Sequence, residues 1–470
     1  MSKKLSQLVN TTLTTEITGI AINSKKVKKG DLFVCIKTRD FDRHDFIEEA
    51  IKNGAAALIV NQDNDYSIPA VLVANPTIEL TTITQKFYDN PQNDLIIIGI
   101  TGTDGKTSVA TIIQSLLGKD ICGVIGTNGL IYKDKSEYNG NTTPDPTLLY
   151  AYIREMVDNG IKYLAMEASS EAFLFNRLCN LKFDASIFTN LSQDHLNNHK
   201  TMENYLSCKL KLFKQTKAQG PCVINSDEQY AAAFSKAAAG KVVSYGQNPN
   251  STLSFEILKC TINSTNFNIK YHNITGNITS PLTCDFNVYN LSAALLVLLE
   301  LNFKLKNLID KIPNIIIEGR MHCFKYHNKT IMIDFAHTPN AINNIFNFVK
   351  NNFDQQIVSV TGAAGDRDSS TRFEKGQTIL NNSSYTIFTS DDPRFEDPSK
   401  IALEMAGDFN NNKYEILVDR ETAIKQAIKM ADENALILIL GKGSERKISI
   451  KDKNIPYCDI DVVEKFIKNN

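Results

Sequence analysis

The chain has no excess of charge of either sign, with 51 Lys and Arg against 52 Asp and Glu in 470 residues. No net field therefore draws it to nucleic acid or to an anionic membrane surface, and any polyanion it binds must be held by local geometry. Its nine cysteines include no CxxC pair and no regular spacing, so their thiols are expected to be reduced. The longest apolar runs, such as AALLVLLEL and ALILIL, fall far short of the roughly 18 residues a bilayer demands, so no membrane segment is expected. The opening MSKKLSQLVN lacks the apolar core of a signal peptide, and a cytoplasmic protein is expected. Internal repeats and low-complexity segments are also missing. What is present is enough aliphatic and aromatic residue for several packed cores, and the length predicts about three domains.

The pattern along the chain is of α/β type. Up to about residue 90, short β-like runs (DLFVCI, AAALIV, AVLVA) alternate with helical pattern (FIEEAIKNGA). The turn-forming cluster YDNPQND closes this first domain, residues 1–90. DLIIIGI then opens a second domain, 91–319, as an uninterrupted apolar run of the kind that parallel sheets cover on both faces. Strands and helices continue through YLAMEASS, ASIFTNLS and CVINSD. Period-two alternation from SFEILKC to CDFN predicts a small antiparallel insert, and YNLSAALLVLLELNF a closing helix. After EGRMHCF the pattern resets. TIMIDF, QIVSVTGA, YTIFTS and ALILILGKG read as strands of a third α/β domain, 320–470, with a helix from Pro339.

Between DLIIIG and VATIIQSLLG stands ITGTDGKTS, residues 100–108. A phosphate loop joins a buried strand to a helix N-terminus, where backbone N–H groups and the helix dipole meet the anion. Gly102 and Gly105 allow the tight turn, with Thr103 between them. Lys106 would neutralise the β and γ phosphates, and Thr107 or Ser108 would offer a hydroxyl to Mg²⁺. The strict pattern GxxxxGK[ST] nevertheless fails by one place, because Ile100 stands where its first glycine belongs. A plain glycine-rich turn is the competing reading. Glu167, at the end of YLAMEA, and His195, after ASIFTN, should reach the same carboxyl edge of a parallel sheet. A carboxylate and a hydroxyl suit Mg²⁺, and an imidazole can complete a second metal site. Taken singly, such a glutamate is more often solvated or capping, and such a histidine more often hydrogen-bonded structure.

The ordered set GTDGKTS, NTTPD, MEASS, FTNLSQDHL, SCKLKLF, FNVYN, EGRMH, DFAHTPNA, GAAGDRD and DDPRFED, with the N-terminal NSKKVKKGDLFVCI, resembles the Mur ligases across the whole chain. The resemblance implies a uridine-nucleotide domain, a central P-loop-type ATPase whose mostly parallel sheet carries a small antiparallel insert, and a Rossmann-like C-terminal domain that brings an amino acid. It also accounts for the failed pattern, since this family carries a shifted loop, GT(N/D)GKT(S/T). By motif, Gly102, Thr103, Gly105, Lys106, Thr107 and Ser108 would hold ATP and Mg²⁺. Glu167, His195 and Lys209 would hold metal, with two Mg²⁺ sites and with Lys209 carbamylated by CO₂. A carbamate turns a cation into an anion, which suits a lysine beside magnesium. Without the resemblance Lys209 reads as a helix-surface lysine, and Lys211 is its neighbouring decoy.

Asn287 and Asn290 in FNVYN, Arg320 in EGRMH, and Asp334 and His337 in DFAHT match nucleotide-contacting positions. Ser24, and less directly His44, match the uracil end, while Thr142, Thr143, Ser169 and Arg177 would hold the muramoyl-peptide. The implied reaction activates a carboxylate as an acyl phosphate, which an amine then attacks. In it the third residue joins UDP-N-acetylmuramoyl-L-Ala-D-Glu, a peptidoglycan precursor. A monomer that binds this UDP-muramoyl dipeptide and an amino acid is expected, with no nucleic-acid partner.

In the members of the family that add diaminopimelate, a DNPR motif supplies an arginine to the distal carboxylate. This chain has DDPR, with Asp391, Asp392 and Arg394; Arg372 is a second candidate, and Gly441 and Glu445 lie in GKGSE. A guanidinium fork fits a carboxylate and repels an ammonium, so Arg394 favours meso-diaminopimelate. Asp392 leaves L-lysine or another diamino acid open. Glu171, Phe175 and His322 replace the common residues of SSH, of the position before the substrate arginine, and of GRME. Two further readings stand beside the ligase. A folylpolyglutamate synthase would not account for the NSKKVKKGDLFV block, and a non-catalytic binding paralogue would have no need of Lys106, Glu167, His195 and Lys209.

Overall fold

The computed structural model describes residues 1–37, 41–138, 140–194, 196–367, 369–407 and 412–469. The chain forms two compact units. One comprises Met1–Glu256, Ile269–Gly276 and Tyr289–Lys311, the other Ile257–Asn268, Asn277–Val288 and Ile312–Asn470.

The first unit begins with a parallel sheet of strands Gly19–Ala21, Asp31–Val34, Ala57–Val60 and Ala70–Leu72, in that order. Both middle strands are buried along their whole length, which is why they read as continuous apolar runs and do not alternate. Helix Pro76–Phe87 follows. The Asn75 side chain accepts from the N–H groups of Thr77 and Ile78, and Pro76 takes the first helical position, where no N–H is needed.

The large sheet of this unit places strand Ile96–Thr101 between Tyr163–Glu167 and Ala185–Phe188, all parallel. Glu167 lies beside Ile100 and Phe188 beside Thr101, so the three carboxyl ends finish level. Ligands gather at such an edge in a doubly wound sheet. Cys122–Gly126 pairs on one side, and Pro221–Asn225 and Lys241–Gly246 continue the other. The expected insert is present as strands Leu253–Cys260, Thr265–Tyr271 and Ile274–Ser280, which are neighbours in the sheet and contribute to both units. Connections this short return the chain antiparallel, because a parallel crossover needs about a dozen residues.

In the second unit His322–Tyr326 pairs antiparallel with Lys329–Asp334. Leu436–Leu440, Ile357–Thr361, Tyr385–Phe388 and Tyr414–Ile416 follow in parallel. Ile331, Ile333, Val358, Val360, Ile437 and Ile439 form one face of the core, packed with residues of helices Arg420–Met430 and Asp459–Asn469. Met332, Leu436 and Leu438 face the other way, toward residues of helix Pro339–Asn352. The ends of two helices are joined by a fully buried ion pair, with Arg420 Nη2 2.8 Å from Asp459 Oδ2. Among the described residues, no helix is long and apolar enough to cross a membrane.

Candidate active site

The glycine-rich stretch leaves strand Ile96–Thr101 at Gly102 and enters helix Lys106–Leu117 at Gly105. Gly105 has φ +83°, and a Cβ there would lie 2.5 Å from Asn290 Oδ1; at Gly102 a Cβ would meet Thr189 Oγ1 at 1.8 Å. Glycine is required at both by conformation and by space. No side chain caps the helix start at Gly105, which leaves its first amides to an anion. The loop is fastened from the strand beside it. Thr103 N–H donates to Asn190 O (2.9 Å), Asp104 N–H to Asn190 Oδ1 (2.9 Å), and Thr189 Oγ1 to Asp104 O (2.7 Å).

Two lysines converge on this loop. Lys106 Nζ donates to Gly102 O (2.9 Å) and Thr103 O (2.7 Å), and Lys209 Nζ, from helix Met202–Lys214, donates to Gly102 O (2.7 Å). Lys209 is 1% exposed and its ammonium lies 4.4 Å from the centre of the Tyr205 ring. Burial, reinforced by neighbouring Lys106, holds it well below the ordinary lysine range. Lys211 points elsewhere, donating to Phe173 O. The reading of Lys209 as a surface lysine is thereby excluded.

Glu167 is buried at the same edge. Its Oε1 accepts from Thr107 Oγ1 (2.9 Å) and Thr127 N–H (2.9 Å), and its Oε2 from Thr127 Oγ1 (3.1 Å). Ser108 is buried in the first turn of the helix. His195 lies outside the described residues.

The candidates for the muramoyl-peptide adjoin Glu167. Thr143 Oγ1 donates to Glu167 O (2.8 Å) and lies 3.2 Å from Ser169 Oγ. Arg177 Nη1 donates to Thr143 O (3.0 Å), and Thr142 Oγ1 lies 3.2 Å from Thr127 Oγ1. Of the residues that depart from the family pattern, Glu171 accepts from Asn198 Nδ2 (2.6 Å) and Phe175 lies exposed beneath the Arg177 guanidinium. Ser24 is buried and donates to Glu49 Oε2 (2.5 Å). His44 has Nδ1 2.6 Å from Asp42 Oδ1, while Nε2 accepts from Asn61 N–H (3.3 Å).

In the second unit the turn before strand His322–Tyr326 meets the end of strand Lys329–Asp334. Asp334 accepts from the N–H groups of Met321 and Ala336, both at 2.7 Å, and burial raises its carboxyl above the usual range. The Arg320 guanidinium stacks over Phe335, whose carbonyl accepts from His337 Nδ1 at 2.9 Å. Burial lowers the pKa of the His322 imidazole. Asn287 is buried and donates to Thr283 O (2.7 Å).

Asp391, Asp392 and Glu445 bring carboxylate oxygens within 4.8 Å of one another around fully buried Lys442. A Cβ on neighbouring Gly441 would lie 2.6 Å from Asp391 Oδ2. Arg394 sits beside this cluster with its backbone in the left-handed region, φ +51°. No ion pair engages its guanidinium among the described residues. Arg372, the second candidate, is held by the protein's own side chains. Its Nη1 lies 2.8 Å from Glu396 Oε2 and 2.7 Å from Glu404 Oε2, and Nη2 donates to Glu396 Oε1 and Ala364 O. Its two terminal nitrogens are engaged by the protein's own carboxylates and the Ala364 carbonyl, while its Nε is buried without a hydrogen-bond partner among the described residues.

Motif reading gave no role to Thr127, Thr189, Asn190, Tyr205 or Lys442. Thr189 and Asn190 lie within FTNLSQDHL and Lys442 within GKGSE, but only three-dimensional contact assigns them work. Thr127 had no signal of any kind.

A phosphate-type loop, two converging lysines of which Lys209 is buried, and a buried carboxylate at the carboxyl edge of a parallel sheet form the site of a nucleotide-dependent enzyme. The chain belongs to the Mur ligase family. Residues 16–90 match the Mur ligase family catalytic domain, 100–298 the Mur ligase middle domain, and 319–443 the Mur ligase glutamate ligase domain. It is 36% identical to UDP-N-acetylmuramoyl-L-alanyl-D-glutamate–2,6-diaminopimelate ligase 2 of Clostridium acetobutylicum, over 98% of this chain and 97% of that protein. A solved structure of a UDP-N-acetylmuramoyl-L-alanyl-D-glutamate–2,6-diaminopimelate ligase superposes with a TM-score of 0.71 at 27% identity, covering 100% of this chain and 99% of that one. The MurF ligase of Thermotoga maritima, solved with ADP, shares the fold at 20% identity, covering 96% of this chain and 97% of its own with a TM-score of 0.64.

Proposed function

We propose that the chain is an ATP-dependent ligase that adds meso-diaminopimelate to UDP-N-acetylmuramoyl-L-Ala-D-Glu. The observation that carries this reading is the convergence of Lys106 and Lys209 on Gly102 O beside the Thr107–Glu167 contact. The boundaries 1–90, 91–319 and 320–470 are proposed for the uridine-nucleotide, ATPase and amino-acid domains. The enzyme is taken to act in the cytoplasm, where its nucleotides are.

ATP binding draws on the uncapped amides at Gly105 and on Lys106, which is free to exchange two loop carbonyls for phosphate oxygens. Arg320, Asp334, His337, Asn287 and Asn290 are assigned to the rest of the nucleotide. The hard oxygens of Thr107 and Glu167 fit Mg²⁺. Such an ion supplies charge neutralisation for phosphoryl transfer. Lys209 is suited to carbamylation, since only a neutral amine attacks CO₂ and burial favours the neutral form.

The dipeptide carboxylate, held by Thr142, Thr143, Ser169 and Arg177, attacks the γ-phosphorus with loss of ADP and becomes an acyl phosphate. The amine of the incoming amino acid then attacks the acyl carbon, a proton leaves, and phosphate departs. Both steps bring anions together, so the clustered cations lower the barrier by stabilising the charge that builds on phosphoryl and carbonyl oxygens. Arg394 receives the distal carboxylate of diaminopimelate, because among the described residues no carboxylate pairs with its guanidinium.

The test is phosphate release with ATP, Mg²⁺ and the UDP-muramoyl dipeptide against a panel of amino acids, with product masses. Turnover with meso-diaminopimelate and not with L-lysine is expected. Preference for L-lysine would keep the chemistry and remove Arg394 as selector, and silence with every amine would leave a non-catalytic binding protein.

A further inference from the structure

The aspartate at position 392, where the diaminopimelate-type motif has asparagine, places an extra anion next to the arginine assigned to the substrate carboxylate. Left alone, it would oppose that carboxylate and favour an ammonium. The surrounding contacts give it other work. Lys442, with no exposed surface, puts Nζ 3.0 Å from Asp392 Oδ1, 2.7 Å from Glu445 Oε2 and 3.6 Å from Asp391 Oδ1. Asp392 Oδ1 also accepts from Ser449 N–H at 2.9 Å. Ser449 O in turn accepts from Arg394 N–H at 3.0 Å, and Arg394 O accepts from Lys451 N–H at 2.8 Å. A continuous chain of contacts therefore runs from Lys442 through Asp392 and strand Lys447–Ile450 to the backbone of Arg394, which is held at φ +51°.

We infer that Lys442 is a positioning and specificity-determining residue for the amino-acid site: it pairs with Asp392, offsetting that anion, and through that carboxylate and Ser449 fixes Arg394 where a carboxylate-bearing amino acid is selected. This inference rests on the ligase reading above and adds the residue that decides which amino acid the site takes. A buried carboxylate keeps its charge only when paired, and an uncompensated one in a low-dielectric site acts strongly on a nearby anion. With Lys442 present, Asp392 is a strut. Without it, Asp392 is a repulsive charge.

The experiment compares the wild-type chain with Lys442→Met, Asp392→Asn, the double variant and Lys442→Arg, using meso-diaminopimelate and L-lysine as varied substrates. Lys442→Met should raise the KM for meso-diaminopimelate by at least about tenfold and leave the KM for ATP unchanged. The double variant should recover at least about threefold of the lost affinity, because one of the three carboxylates that Lys442 faces has gone while Asp391 and Glu445 remain. Lys442→Arg should keep the preference for meso-diaminopimelate. An unchanged KM in Lys442→Met, or a double variant no better than the single one, overturns the assignment and leaves the ligase reading intact. If Lys442→Met does not accumulate as folded protein, the double variant and Lys442→Arg carry the test, and loss of meso-diaminopimelate preference in both overturns it. A wild-type enzyme that prefers L-lysine, or uses no amino acid, overturns the ligase specificity and this inference together.

Discussion

Lys209→Met isolates the buried amine that the phosphate loop holds. In the wild-type chain this amine is 1% exposed and its ammonium form is disfavoured, first by burial and then by Lys106. The same lysine in the unfolded chain titrates near the ordinary value of about 10.4. Between the depressed folded pKa and that value, the unfolded state binds the extra proton. Stability therefore rises with pH across this window, by up to about 1.4 kcal/mol per pH unit. The penalty is fully present below the folded pKa and gone above the unfolded one. The variant has a side chain of similar length and no such linkage, so its advantage over wild type should be largest in acid and shrink as the pH is raised. About 1 kcal/mol corresponds to 2–4 °C in Tm for 150–250 residues and to less in the larger unit that holds Lys209, so each pH unit inside the window should close the gap by roughly 2–3 °C. Thermal unfolding of both proteins from about pH 6 to about pH 9 measures this, with the ligation assay run alongside. Ligation should fall by at least about a hundredfold in the variant, and bicarbonate should stabilise only the wild type. A Tm difference that does not change with pH would refute the neutral-amine argument. Equal stabilisation of both proteins by bicarbonate would refute carbamylation.

Glu167→Gln should cost about 1–3 kcal/mol, because an amide cannot accept at both ends from Thr107 and Thr127, and turnover should demand more Mg²⁺; denaturant unfolding and a Mg²⁺ titration check both. Gly126→Ala places a Cβ 2.1 Å from Glu167 Oε1 and should reduce kcat by at least about tenfold, read from steady-state phosphate release. Arg394→Ala should raise the KM for meso-diaminopimelate by about a hundredfold with little change in the KM for ATP, which a substrate titration decides. Arg372→Met should behave differently, losing about 2 kcal/mol of stability while the KM for the amino acid holds. Arg372 lowers the Glu396 carboxyl to about 2, so this part of the wild-type stability is present above the ordinary glutamate pKa and is lost as the pH falls toward about 2; in the variant the acid limb of the melting profile should flatten.

Local signals carried the strands and the start of the site well. Asn75, Asp145, Thr338 and Asp397 each cap a helix whose first residue is proline, and such starts are visible in the chain because capping and proline geometry act over three or four residues. The continuous apolar run at 96–100 announced a parallel strand covered on both faces, and that at 436–440 announced a strand. The family resemblance, and not the residues' own pattern, brought Lys209 into one hypothesis with Lys106 and Glu167. The contacts of Arg372 were not legible, because its partners Glu396 and Glu404 lie 24 and 32 residues downstream, and along the chain an arginine looks the same whether its partner is a substrate or a distant carboxylate.

By itself, the sequence determined the elements, the glycine positions that bend the loop, and the chemical types available at the sheet edge, because each depends on neighbours along the chain. Only the tertiary structure decided that the strand at 436–440 inserts between those at 329–334 and 357–361, that Lys209 rather than Lys211 reaches Gly102, and that Lys442 spends its charge on Asp392. These outcomes depend on which distant segments share one sheet and one buried volume. Burial then sets whether a lysine is a solvated surface charge or a depressed amine, and no window of sequence contains the atoms that exclude the water.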